Sequence, residues 1–134
     1  MKRLAFLILL LHSLAVYSQN LLQRSMDRES VTRIAKAADG VMLLGTDDGL
    51  MEYDGQQVTR LVTADCKRPY NFVNEIAALH DGTVLVGMRN GLYVADRKNA
   101  LCRRIYPELT EVTSIIAGHG DSVYIGCRDG LAIM

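Results

Sequence analysis

The stretch VTRIAKAADGVMLLGTDDGLMEYD, residues 31–54, decides how this chain folds, because it returns twice. Residues 73–96 read VNEIAALHDGTVLVGMRNGLYVAD, and residues 112–134 read VTSIIAGHGDSVYIGCRDGLAIM. Val31, Val73 and Val112 stand in one phase, about 40 residues apart, which is the signature of a repeat architecture. The first two copies share Ile34/Ile76, Asp39/Asp81, Gly40/Gly82, Leu43/Leu85, Gly45/Gly87 and Gly49/Gly91. The third keeps Ile115, Gly126, Gly130 and Leu131 and inverts the Asp-Gly pair to Gly120-Asp121.

Each copy reads as short strands separated by turns. Val31 to Ala35 is apolar and β-branched, and Asp39-Gly40, like Asp81-Gly82, is a two-residue hairpin signal. Val41 to Leu44 is a continuous apolar run, as expected of a strand buried on both faces. Gly45 and Gly49 bracket a polar tip where positive φ or close backbone approach is expected; Gly87 with Gly91 and Gly126 with Gly130 do the same. Leu50 to Tyr53 and Val58 to Val62 complete four strands, and Leu101 to Ile105 is the fourth strand of the second copy. Four short strands in about 40 residues is the blade pattern of a β-propeller. The expected fold is therefore all-β. Its units are a lead-in strand at 19–30, blade 1 at 31–72, blade 2 at 73–111 and an incomplete blade 3 at 112–134.

Blades of the WD type carry Gly-His and Trp-Asp, whereas this chain has a lone Gly118-His119 and no Trp. Asp39-Gly40, Gly45-Thr46, Asp48-Gly49-Leu50 and Tyr53-Asp54-Gly55 resemble the two-component regulator propeller repeat. Asp81-Gly82, Asn90-Gly91-Leu92-Tyr93 and Asp129-Gly130-Leu131 carry the same likeness. That family usually has Trp two residues before the Gly-Thr glycine, where this chain has Leu43, Leu85 and Tyr124. The resemblance implies the N-terminal periplasmic sensor region of a hybrid histidine kinase, either a fragment or a truncated product.

The N-terminus fits export. Lys2 and Arg3 precede the unbroken apolar run Leu4 to Leu11, and Val16-Tyr17-Ser18 offers a cleavage site, the anatomy of a signal peptide over residues 1–18. Leu4 to Val16 is too short for a membrane span of about twenty apolar residues. The 134 residues carry 15 basic and 15 acidic side chains, and 49% are hydrophobic. That balance supports a packed core and argues against a nucleic-acid partner. Cys66, Cys102 and Cys127 differ in repeat phase, and no pair of them is marked for a disulfide.

No catalytic grouping or cofactor motif stands out. Asp47, Asp48, Arg89, Asn90, Arg128 and Asp129 occupy the tips between the second and third strands. They are the candidate ligand-binding residues, with Tyr70, Phe72 and Tyr106 as stacking surfaces. Polar side chains and aromatic rings together suit a polar ligand such as a sugar, and the resemblance implies a polysaccharide breakdown product. His80 and His119, at equivalent positions, read as turn residues and not as a metal pair. Arg103-Arg104 reads as protection of an outer strand. The resemblance implies no catalysis in this chain and contact with a membrane only through segments downstream. An exported carbohydrate-active propeller enzyme and a protein-binding propeller are the alternatives. Three blades fall short of the roughly 4–8 of a closed propeller. The polypeptide is therefore expected to meet further blades or to associate with itself.

Overall fold

A computed structural model of the chain describes residues 29–63 and 71–134, together with Leu4, Ala5, Leu7–Leu10 and His12 of the N-terminal stretch. The stretch 1–18 read as a signal peptide and most of the lead-in strand read at 19–30 therefore lie outside the described residues, as do Cys66 and Tyr70; Glu29 and Ser30, at the end of that lead-in, are not strand. Among the described residues no helix is long and apolar enough to cross a membrane.

The protein is all-β and propeller-like. Blade 1 is β1 (Val31–Lys36), β2 (Met42–Thr46), β3 (Gly49–Tyr53) and β4 (Val58–Thr63). Blade 2 is β5 (Val73–Ala78), β6 (Val84–Met88), β7 (Gly91–Asp96) and β8 (Leu101–Tyr106), with a 3₁₀ turn at Arg97–Asn99. Blade 3 holds β9 (Val112–Ala117), β10 (Val123–Cys127) and β11 (Gly130–Ile133). Within each blade successive strands pair antiparallel. The five strands given spans in the sequence, β1 to β4 and β8, differ from those spans by a residue or two at an end, because register pairing and not composition sets where a strand stops.

One local expectation needs correction. Asp39-Gly40 does not form a two-residue hairpin. Ala37 N–H donates to Val41 O at 2.9 Å and Gly40 N–H to Ala37 O at 2.9 Å, so the loop holds three residues, ending in Gly40 at φ +89°. Asp-Gly serves there as the turn-plus-left-handed-glycine form of a longer loop. The blades are also not wholly separate sheets. The ends of β4 and β8 pair parallel, Val62 with Leu101 and Thr63 with Cys102, joining blades 1 and 2 into one eight-stranded sheet. Val62 N–H donates to Ala100 O at 2.8 Å, and Ala100 presents it from the left-handed region at φ 52°.

The core lies between blades. Leu43, Leu50 and Leu61 of blade 1 cluster with Val73, Ile76 and Val86 of blade 2. Leu85 and Leu92 of blade 2 cluster with Val112, Ile115, Val123 and Ile125 of blade 3. The continuous apolar run of β6 is explained by this arrangement: Val84, Val86 and Met88 face back to blade 1, while Leu85 and Gly87 face forward to blade 3. A strand covered on both sides needs apolar residues at both periods of the pleat. Gly45 and Gly87 mark where the blades touch most closely. A Cβ on Gly45 would lie 2.5 Å from Val73 Cγ1, and one on Gly87 would lie 2.6 Å from Val112 Cγ1. Their role is close approach, not positive φ.

Candidate functional site

The tips that join the second and third strands are two-residue loops in all three blades. Asp47-Asp48 sits between the paired residues Thr46 and Gly49, Arg89-Asn90 between Met88 and Gly91, and Arg128-Asp129 between Cys127 and Gly130. Gly49, Gly91 and Gly130 have φ of +104°, +145° and +133°, values that a side chain would resist. In blade 1 the turn is locked from inside. Buried Thr46 accepts Asp48 N–H at 3.0 Å on Oγ1 and donates to Gly49 O at 2.9 Å. Cys127 repeats the donation to Gly130 O through Sγ at 3.3 Å.

Hydrogen bonds bind these tips to the segments that lead into the innermost strands, which places tips and lead-ins on one face. Ser30 N–H donates to Asp47 Oδ1 and Asp47 N–H to Ser30 O, each at 3.1 Å. Asp48 accepts from Asn71 Nδ2 at 3.1 Å, its carbonyl accepts from Arg60 at 2.7 Å, and Arg60 also pairs with Glu29. In blade 2 the Arg89 carbonyl accepts Glu111 N–H at 2.7 Å, and the Arg89 guanidinium lies 5.3 Å from the centre of the Phe72 ring. In blade 3 Arg128 pairs with Glu111 at 3.3 Å, and Asp129 accepts from Thr110 Oγ1 at 3.1 Å.

The six candidate residues thus share one face but differ in what they offer. The Asp47 and Asp48 carboxylates hold the lead-ins in place. Asn90 is half-buried, while Arg89, Arg128 and Asp129 are exposed. Phe72 carries the Arg89 guanidinium on its ring, a cation–π contact. Tyr106, at the end of β8, pairs with Leu92 beside the blade 2 tip and lines a small cleft with Leu109, Ile133 and Met134.

The opposite face carries the Asp-Gly turns. Asp39 Oδ1 accepts Val41 N–H at 3.3 Å, and Asp81 Oδ1 accepts Thr83 N–H at 2.8 Å. Arg97 reaches from blade 2 to blade 1, pairing with Asp39 at 2.9 Å and with Glu52. His80 and Asp81 border a cleft with Gly118, Asp121 and Ser122 of blade 3. Among the described residues no group of three His, Cys, Asp or Glu side chains is placed to hold a metal ion. Arg104 is half-buried and donates to Pro107 O at 2.8 Å, so it braces the turn after β8. Cys102 and Cys127 are free thiols; burial pushes Cys102 up to about 12.

A second set of residues escaped the sequence reading. Thr32, Asn74 and Thr113 each follow the repeated Val, and each sits where the strand register slips by one residue. Such a β-bulge re-aims a side chain. Thr32 Oγ1 donates to Val73 O at 2.7 Å and Asn74 Nδ2 to Val112 O at 2.8 Å, so each bulge bonds the next blade. The available signal was a hydrogen-bonding residue, Thr or Asn, at one fixed repeat position directly after the repeated Val.

No protein-family model matches the chain, and no curated protein sequence matches it. Among solved structures it is similar to the extracellular domain of BT4673 from B. thetaiotaomicron, described as a hybrid two-component system. The TM-score is 0.65 at 19% identity, over 81% of this chain and 14% of that one. A second crystal structure of the BT4673 extracellular domain, described as a one-component system, gives 0.64 at 20% identity, over 78% and 14%. The chain therefore spans about a seventh of the structures it resembles. The shared feature is the fold.

Proposed function

We propose that this chain forms the opening blades of a ligand-sensing propeller outside the cytoplasmic membrane, part of a two-component signalling sensor, with no catalytic step of its own. The observation that carries this reading is the fold likeness to an extracellular domain described as a hybrid two-component system. The apolar leader behind Lys2 and Arg3 supports export to the periplasm. The ligand face is the one that gathers the three tips, where Arg89, Arg128 and Asp129 are exposed. Charged hydrogen-bonding groups on rigid two-residue loops suit a polar ligand of the oligosaccharide class, held by bidentate guanidinium contacts to hydroxyl or carboxylate oxygens. The kinase that such a sensor drives would lie in other parts of a longer protein.

The test is a thermal-shift and calorimetric screen of the full chain against neutral and acidic oligosaccharides. Saturable binding that Arg89→Ala or Arg128→Ala weakens, and that Arg103→Ala on the opposite face leaves intact, supports the reading. A screen without binding, or binding indifferent to both tip arginines, overturns the assignment of this face.

A further inference from the structure

We propose that Glu111 is an internal stand-in for a ligand carboxylate at the tips of blades 2 and 3, which makes this part of the face selective for sugar acids. The inference rests on the reading of the tip face as the ligand face and deepens it. Glu111 touches both tips. Its N–H donates to the Arg89 carbonyl at 2.7 Å, and its carboxylate pairs with Arg128 at 3.3 Å. Two guanidinium-bearing tips are therefore joined through one acidic residue.

Each arginine keeps capacity for an anion. The Arg89 guanidinium rides on the Phe72 ring, 5.3 Å from its centre, and forms no ion pair among the described residues. Arg128 is held by a single contact, longer than the roughly 2.7–2.9 Å of a strong charge-assisted bond. A ligand carboxylate can engage a guanidinium through two parallel bonds, the stronger arrangement. Both side chains of the Arg128–Glu111 pair face solvent, so exchanging it for a ligand costs little.

Glu111 also holds a backbone conformation that its residue type resists. Its φ is +47°, in the left-handed region, whereas its repeat equivalents Ser30 and Phe72 lie outside it. Strain of this kind persists where the surrounding structure over-determines it. The consequence is visible in the tips. Asp47 N–H bonds the carbonyl of Ser30, but Arg128 N–H bonds Thr110 O at 3.3 Å, one residue earlier, and Glu111 is released to span two blades.

Blade 1 lacks this chemistry. Asp47 stands where the other tips have Arg89 and Arg128, so an anion is repelled there. Of the other carboxylates near the arginine tips, Asp129 accepts from Thr110 Oγ1 at 3.1 Å, and Glu108 pairs with no arginine among the described residues.

Calorimetry of the full chain with digalacturonic acid, the neutral disaccharide cellobiose and citrate tests the proposal. Wild type should bind digalacturonic acid in preference to the other two. Glu111→Gln should tighten that binding about fivefold, the upper end of what an exposed ion pair resists with, and leave cellobiose unchanged. Added to Arg128→Ala, it should bring no gain. Glu111→Gly keeps the N–H, suits the positive φ and takes the place of the Gln variant should that fail to fold. Unchanged or weaker acid binding in these variants overturns the proposal, as does a gain shared by cellobiose or one that survives Arg128→Ala. Citrate bound as tightly as digalacturonic acid overturns the sugar-acid class. In each of these cases sugar binding that Arg89→Ala or Arg128→Ala weakens leaves the ligand-face reading standing. No saturable binding of any probe to wild type or Glu111→Gln overturns both.

Discussion

Asn74 Nδ2 lies 2.8 Å from the carbonyl oxygen of Val112, performing across the second blade joint what Thr32 performs across the first at 2.7 Å. Both donors are bulged residues, so the bulge turns a side chain that would follow the pleat toward the neighbouring blade. The contact pins the vertical register of one blade against the next, which apolar packing alone leaves free to slide.

Asn74→Ala should destabilise the chain by about 1–2 kcal/mol, because it leaves the half-buried joint with an unmatched carbonyl. Asn74→Thr should recover a large part of that loss, since Thr already serves at the equivalent position. Urea unfolding of the three proteins measures both. Equal loss for Ala and Thr would assign the effect to side-chain volume and not to the hydrogen bond.

Gly87→Val should cost roughly 1–3 kcal/mol through overpacking against Val112. Gly82→Ala should also cost about 1 kcal/mol, for a different reason: nothing lies within 4 Å of its Cβ position, but its φ is +89°. The mechanisms separate in a double mutant. Val112→Ala should relieve Gly87→Ala by a measurable coupling energy and leave Gly82→Ala purely additive.

Thr46→Val removes a buried hydroxyl that both accepts and donates within the first tip. A loss of about 1–2 kcal/mol is expected. Thr46→Cys should lose less, because the thiol of Cys127 makes the corresponding bond to Gly130 O. Thermal melts rank the three.

Acid should weaken the fold below the ordinary carboxylate range. The side chain of Arg97 foremost, and then Val41 N–H, lowers Asp39; Thr83 N–H lowers Asp81. The N–H groups of Gln57 and Gln56 lower Asp54, and the Asn99 side chain lowers Asp96. A carboxylate with a depressed folded pKa contributes stability that is present above its unfolded value, about 3.9, and is lost as pH falls through the folded value. Denaturant midpoints should therefore hold steady from neutrality to about pH 5 and fall below pH 4. Asp81→Asn should flatten part of that fall.

Cys102 should resist thiol reagents in the native state, since burial, first, and then the nearby Glu52 charge push its thiol up to about 12, above the ordinary 9.0. A raised thiol pKa contributes stability that is complete below the unfolded value and is lost as pH rises toward the folded one, so alkaline weakening is expected between 9.0 and about 12. Reaction of Cys102 in the native protein at pH 8, followed by peptide mapping, would contradict the burial that the structure assigns to it.

The repeat phase, the β class and the turn positions were legible in the residues themselves. An Asp-Gly pair, a glycine at positive φ and an apolar run each act over a few neighbours, and three copies in phase make the pattern secure. Placement of the six tip residues on one face also followed, because an antiparallel meander returns alternate loops to the same end. What these side chains touch did not follow. The carboxylate of Asp48 is held by Asn71, and the ring of Phe72 by Arg89. Asn71 and Phe72 both come from the connection between blades 1 and 2, whose path no local preference describes.

The joints belong wholly to the tertiary structure. Nothing adjacent to Gly87 in the chain explains why it must lack a side chain; the reason is Val112, a strand of another blade away. Asn74 reads in isolation as a poor strand residue and acts as a donor only once a bulge turns it toward that same Val112. The parallel join of Val62 and Thr63 to Leu101 and Cys102 has no signature in either strand. Composition and spacing determine which elements form, because those energies are local. Which element meets which is decided by how the finished blades fit, an energy that exists only when both surfaces are present.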